Sequence, residues 1–104
     1  MSQADTSTKT KIKPNLGIKE PPLFKIIYIN DNQTSVDFVI GSLIDHFEYT
    51  MPTAEQITQN IHDAGSAVVA VLPYEVAEQK GIEITVEARG NGFPLQIKLE
   101  PETI

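Results

Sequence analysis

Apolar residues recur in this chain with two different periods, and the places where the period changes mark its elements. Residues 24–29 (FKIIYI) are apolar at every position but Lys25, the pattern of a buried strand. Residues 30–33 are a polar break. Val36, Val39, Ile40, Leu43 and Phe47 then follow at helical spacing, behind Thr34-x-x-Asp37, which reads as a capping box. After Pro52, Thr53-x-x-Gln56 reads as a second capping box. The helix it opens runs through Ile57 and Ile61 to Gly65, the expected C-terminal glycine. Residues 66–72 (SAVVAVL) form a second buried strand. Pro73 suits the first position of a third helix, whose dipole Glu75 and Glu78 complement.

The last third supports two readings. Residues 82–87 (IEITVE) alternate as a strand does, and Gly90-Asn91-Gly92 would make a hairpin turn. Against that, Ala77, Gly81, Ile84 and Ala88 share one helical face. The local pattern slightly favours the strand. Residues 94–99 (PLQIKL) alternate and stop before Pro101. The order is β-α-α-β-α-β, an α+β domain with helices over a small sheet. Residues 1–20 are rich in Ser, Thr, Lys and Gln and show no amphipathic period, so they read as a disordered N-terminal extension. The core domain is expected over 21–104.

Composition narrows the function classes. At 104 residues the chain builds one core and not two. No window reaches the roughly 18 apolar residues of a membrane span, and the first 20 residues lack the apolar core of a signal peptide. A cytoplasmic monomer is the expectation, with an organellar stroma as the alternative location. Without cysteine there is neither a disulfide framework nor a thiolate metal site, and two histidines, His46 and His62, leave little scope for a metal. Neither a metal nor a cofactor is expected. Residues 1–22 carry net charge +2, whereas the remainder holds four basic and twelve acidic residues, net −8. An acidic body disfavours nucleic acid, whose phosphates need a basic surface. It suits cationic ligands.

The candidate chemistry sits in the polar break. An α-ammonium group offers three N–H donors and a positive charge, whereas an internal peptide nitrogen offers one neutral donor. A site that selects chain ends therefore converges several acceptors on one point. Asn30 brings an amide oxygen, Asp31 a carboxylate and neutral His62 a ring nitrogen; protonated, that ring would lose its acceptor and repel the ammonium. If the second helix packs on the first, Thr58 and Ile61 face the same space as Val36 and Val39. Burying a large apolar side chain there would contribute roughly 1.5–3 kcal/mol. The plainer reading is that Asn30-Asp31-Asn32 is a turn whose side chains bond their own backbone. In the same way His62 would complement a helix dipole, and the apolar residues would be core.

Residues 24–99 resemble the ClpS family, small adaptors that deliver N-degron substrates to a Clp AAA+ protease. The likeness is carried by Pro21-Pro22, the strand into Asn30-Asp31, Thr34, Phe38-Val39-Ile40, Ile61-His62-x-x-Gly65, Glu75-Val76-Ala77-Glu78-x-Lys80 and Pro94-Leu95. It implies that the stretch after Glu78 continues as a helix, giving three helices on a three-stranded sheet. It implies further that Asn30 and His62 bind the substrate's α-amino group, with Asp31, Asn32 and Thr34 completing that edge. The pocket for the first side chain falls on Val36, Val39, Thr58, Ile61 and Leu95, and Leu, Phe, Tyr or Trp are the expected first residues. Glu75 and Lys80 resemble the family's contact with the N-terminal domain of an unfoldase of the ClpA or ClpC type. The extension resembles one required for substrate hand-over. Asn32 stands where many members have a second aspartate, and Val36 and Thr58 where methionine is common. The expected role is that of an adaptor with no catalytic residue.

Three rivals are separable from it. A domain like the C-terminal one of the bacterial ribosomal stalk would need no acceptor trio and would show a basic factor-binding surface. A hydrolase using His62 as base, Asp31 to orient it and Thr34 or Ser35 as nucleophile would need an oxyanion loop, which the sequence lacks. A relative that docks on the unfoldase but inhibits it would keep Glu75 and Lys80 and not deliver.

Overall fold

The computed structural model describes residues 21–103. The expected extension, residues 1–20, lies outside them. Six elements follow in the order β1 (Leu23–Ile29), α1 (Val36–Phe47), α2 (Met51–Ala64), β2 (Ser66–Pro73), α3 (Tyr74–Gly90) and β3 (Gln96–Pro101). β1 is the central strand, antiparallel to β2 on one side and to β3 on the other. Its alternation sends Ile26 and Tyr28, both fully buried, toward the helices. One irregularity, between Ile26 and Ile27, shifts the pairing with β2. The core joins Ile26, Tyr28 and Val69 from the sheet to Val39 and Leu43 of α1, Ala54 and Ile61 of α2, and Ala77, Ile84 and Ala88 of α3. None of the described helices is long and apolar enough to cross a membrane.

Residues 82–87 are helical, as the family resemblance implied and as the local alternation did not. A strand would have set Ile82, Ile84 and Val86 on one face. The helix buries Ile84 alone of the three and leaves Ile82 and Val86 exposed. What decides the matter is the face shared by Ala77, Ile84 and Ala88, which packs completely, and Gly81, where an added Cβ would already touch Ile97 Cγ2 at 3.8 Å. Gly90-Asn91-Gly92 is accordingly a helix terminus and not a hairpin. Phe93 N donates to Ala88 O and Gly92 N to Arg89 O, with Gly92 at φ +78, the paired bonds of a Schellman stop.

Neither capping box forms. The N-cap of α1 is Ser35, whose hydroxyl accepts from Phe38 N at 3.1 Å, because Thr34 is engaged with Asp31. α2 starts two residues before Thr53: its N-cap is Thr50, which makes no side-chain cap bond and donates to Thr53 Oγ1 at 3.2 Å. Pro52 supplies the preset φ of the first turn. Pro73 ends β2 and precedes α3, one place earlier than expected. The third strand starts at Gln96 and not at residue 94.

One buried polar chain ties the sheet to α1. Ser42 donates to Val39 O at 2.8 Å, so Tyr28 donates its phenol proton to Ser42 Oγ at 2.7 Å. Burial pushes the Tyr28 phenol well above its usual range, which keeps it a neutral donor. Tyr28→Phe keeps the ring and removes one partner of the buried serine oxygen. It should lower unfolding stability by about 1 kcal/mol in a urea titration, with an unchanged slope. A second tie joins α1 to α3: His46 sits between Glu83 at 3.6 Å and Glu87 at 3.1 Å.

Candidate functional site

The loop between β1 and α1 is organised by one side chain. Asp31 Oδ1 accepts from Gln33 N at 2.8 Å and from Thr34 N at 2.7 Å, and its Oδ2 accepts from the Thr34 hydroxyl at 2.9 Å. Partial burial would raise the Asp31 carboxyl, but these hydrogen bonds outweigh it, and Arg89 adds attraction, so the group is held below the ordinary aspartate range. Asp31 is therefore a carboxylate that builds the loop while leaving its charge beside it. Thr34 acts through the same bonds.

A backbone bond sets Asn30 beside α2. Asn30 N donates to Gly65 O at 2.9 Å, and Gly65 N donates to Ile61 O at 2.9 Å. Gly65 closes α2 at φ +89, a left-handed conformation that glycine adopts without steric cost. The last turn of α2, which carries Ile61 and His62, is thereby clamped against the end of β1. Asn30 and His62 are both solvent-exposed, and both line one open cleft of about 560 Å³.

The cleft runs between α1 and α2. The loop closes one end with Asn30, Asp31, Asn32 and Thr34. α1 supplies Val36, Val39 and Ile40, and α2 supplies Thr58, Ile61 and His62. Nine of the ten residues assigned from sequence to the amine edge and the pocket line this one space. Val36 is 61% exposed, so it is a rim residue and not the core residue its helical spacing alone suggested. Thr58 donates its hydroxyl to Ala54 O at 2.7 Å, which leaves no free proton to present to an apolar ligand.

Leu95 is the exception. It is buried and lines a void of about 20 Å³ with Tyr28 and with Asn30, Asp31, Thr34, Val39 and Ile61, which border the cleft as well. Its support is Arg89, whose Nη1 donates to Phe93 O at 3.0 Å and to Leu95 O at 2.9 Å. Leu95 thus lies at the buried base of the corner formed by the amine edge, Val39 and Ile61. Ile40, Glu55 and Gln59 line the cleft without having been singled out from the sequence. The signal for the last two was present: positions 55, 58, 59 and 62 form one face of α2 at helical spacing.

Glu75 lies exposed in the first turn of α3, and Lys80 sits half-buried one and a half turns on. Lys80 lines a groove of about 450 Å³ with Phe47, Tyr49, Val71 and Val76, which shares no residue with the cleft.

With this geometry in view, comparison with known proteins gives one answer. The family model described as ATP-dependent Clp protease adaptor protein ClpS matches residues 19–98. The ATP-dependent Clp protease adapter protein ClpS of Myxococcus xanthus is 38% identical over 98 residues, covering 94% of this chain and 92% of its own. ClpS 1 of Rhodopseudomonas palustris is 36% identical over 102 residues, covering 98% of this chain and 99% of its own. The structure of Agrobacterium tumefaciens ClpS2 bound to L-phenylalaninamide superposes with a TM-score of 0.76 at 36% identity, over 80% of this chain and all of that one. A fold, a cleft and a sequence likeness spanning nearly the whole described core agree, and the chain belongs to the ClpS family of Clp protease adaptor proteins.

Proposed function

We infer that this adaptor binds polypeptides by their N-terminal residue and presents them to a Clp AAA+ unfoldase. The α-ammonium sits between the Asn30 amide oxygen and the His62 ring nitrogen, within the field of the Asp31 carboxylate. The first side chain lies on Val36, Val39 and Ile61, and Leu, Phe, Tyr and Trp are first residues that suit it. Asn32 and Thr34 shape the amine end. Glu75 and Lys80 meet the N-terminal domain of the unfoldase, of the ClpA or ClpC type. The protein acts by binding alone, with no covalent step of its own.

The observation that carries this reading is the cleft itself, which joins two exposed acceptor side chains to an apolar floor. Its support from chemistry is direct. Phenylalaninamide, the ligand of the Agrobacterium relative, has a free ammonium, an aromatic side chain and an amide where the next peptide bond would begin. That is a peptide N-terminus reduced to one residue.

Fluorescent peptides that differ only at residue one, each with and without N-acetylation, test the reading. Acetylation replaces the ammonium by a neutral amide with one donor. It should weaken a Phe-first peptide by roughly a hundredfold or more, the value of two or three charge-assisted hydrogen bonds. Equal affinity for the free and the acetylated peptide would remove amine recognition.

A further inference from the structure

α3 carries a second apolar face that the fold leaves open. Ala77, Ile84 and Ala88 pack into the core, but Ile82 and Val86 remain 54% and 65% exposed. They line a groove of about 310 Å³ with Ile97 and Leu99, the helix-side residues of β3. β3 is an edge strand: it pairs with β1 on one side, and no described strand meets the other. Such an edge leaves backbone donors and acceptors unpaired beside an apolar shelf, the setting in which an extended segment adds as a further strand. The groove shares no residue with the cleft or with the groove at Lys80.

The chain itself supplies an occupant that fits. Residues 8–13 (TKTKIK) alternate β-branched residues with lysines, so an extended run sends Thr8, Thr10 and Ile12 to one face and Lys9, Lys11 and Lys13 to the other. Six residues match the six of β3. With Ile12 and the threonines under Ile82 and Val86, the lysines fall on the face that carries Lys98, Glu100 and Glu102. Lys98 is already paired with Glu100 at 2.9 Å, while Glu102, and Glu78 in the groove, add negative charge. The wider balance agrees, with net +2 over residues 1–22 set against net −8 over the remainder.

Reach and direction agree as well. β1 opens beside the end of β3, where Phe24 pairs with Pro101 and Glu102 N donates to Leu23 O at 2.9 Å. An added strand lies two strand spacings from β1, about 10 Å away. Residues 14–20 span roughly 23 Å when extended, so they cross the end of β3 with length to spare. A strand so placed runs parallel to β3, with Thr8 near Gln96 and Lys13 near Pro101. Pro14, which lacks a ladder donor, ends it. We propose that the groove between α3 and β3 holds the chain's own residues 8–13 as a fourth strand of the sheet. While seated there, the segment is withheld from any other protein that would grasp it.

The chain has no cysteine, so Ser7→Cys carries a single nitroxide label. In the isotope-labelled full chain, the amide signals of Val86, Gln96 and Ile97 should lose roughly half their intensity or more against the reduced label, because a segment tethered at about millimolar effective concentration fills even a weak site much of the time. Ile82→Lys, a change at a side chain already half in water, and Ile12→Ser should each restore most of that intensity. A loss centred instead on residues 22–24 and 101–103, where the segment joins β1, overturns the proposal. So does a loss that either substitution leaves unchanged. Broadening that appears only when spin-labelled and isotope-labelled chains are mixed would give the groove to a second copy, and broadening around Thr58 and His62 would place the segment in the cleft; either result overturns it too.

Discussion

Alanine at both Asn30 and His62 is expected to weaken binding of a Phe-first peptide by about a hundredfold or more, because hydrogen bonds to a charged group are worth about 1.5–3 kcal/mol each. Both side chains are exposed at the edge of the cleft and neither belongs to the buried core. Their removal should therefore move the midpoint of thermal unfolding by no more than about 2 °C. The structural tie between β1 and α2 runs through Asn30 N and Gly65 O, which both substitutions leave in place. Each single variant should show a smaller loss. Because the two acceptors hold one ammonium, the losses should not add, and a double-mutant cycle should return a coupling of at least about 0.5 kcal/mol. The acetylated peptide is the internal control: having no ammonium, it should be indifferent to either change. Near wild-type affinity in the double variant would place the amine elsewhere.

How much of this was legible in the sequence depends on the range of the forces involved. β1, β2 and the apolar faces of α1 and α2 repeat over several turns or pleats, and a period survives local accidents. Gly65 was legible because a left-handed helix stop admits few other residues. The stretch at 82–87 misled because six residues satisfy both a period of two and, in part, a period of 3.6. Burial of Ala77 and Ala88, which lie on either side of that window, decides between them. The capping boxes failed for a different reason. Thr34 could cap α1 or bond Asp31, and spacing alone does not rank two local partners; the loop takes Thr34 for Asp31, and the cap passes to Ser35. Within the site, Asn30, Asp31 and His62 were read from chemistry. Glu55 and Gln59 sit on the His62 face in plain periodicity, yet nothing in the sequence says which polar face of an exposed helix borders a cleft. Leu95 was placed at the pocket by family likeness, and nothing in its local pattern says that it packs beneath residues that border the cleft.

Asp31 builds the loop and, in the proposed reading, lends its charge to the amine site, and two substitutions separate these roles. Asp31→Ala removes the acceptor of three hydrogen bonds that shape residues 31–34. Two backbone donors are then left to water, and the loop that carries Asn32 and Thr34 loses its preset form. Affinity for a Phe-first peptide should fall by about tenfold or more, with a loss of about 1–3 kcal/mol in unfolding stability. Asp31→Asn keeps an oxygen for Gln33 N and Thr34 N, and the Thr34 hydroxyl can accept where it formerly donated. Stability should then fall by less than in Asp31→Ala, by the share the charge contributes, and any loss of affinity measures the negative charge alone. That portion should shrink as salt is raised.

The pH dependence has a definite sign. The Asp31 carboxyl is lower in the folded protein than in the unfolded chain. Its contribution is therefore complete above the ordinary aspartate range and is lost as pH falls through the depressed folded value. Stability owed to this loop should be flat from neutral pH down to the top of that range and decline only below it, and Asp31→Asn should erase that acid-side decline. A decline that persists unchanged in Asp31→Asn would assign it to other carboxylates. It would also leave Asp31 a fixed hydrogen-bond acceptor whose charge the fold does not use.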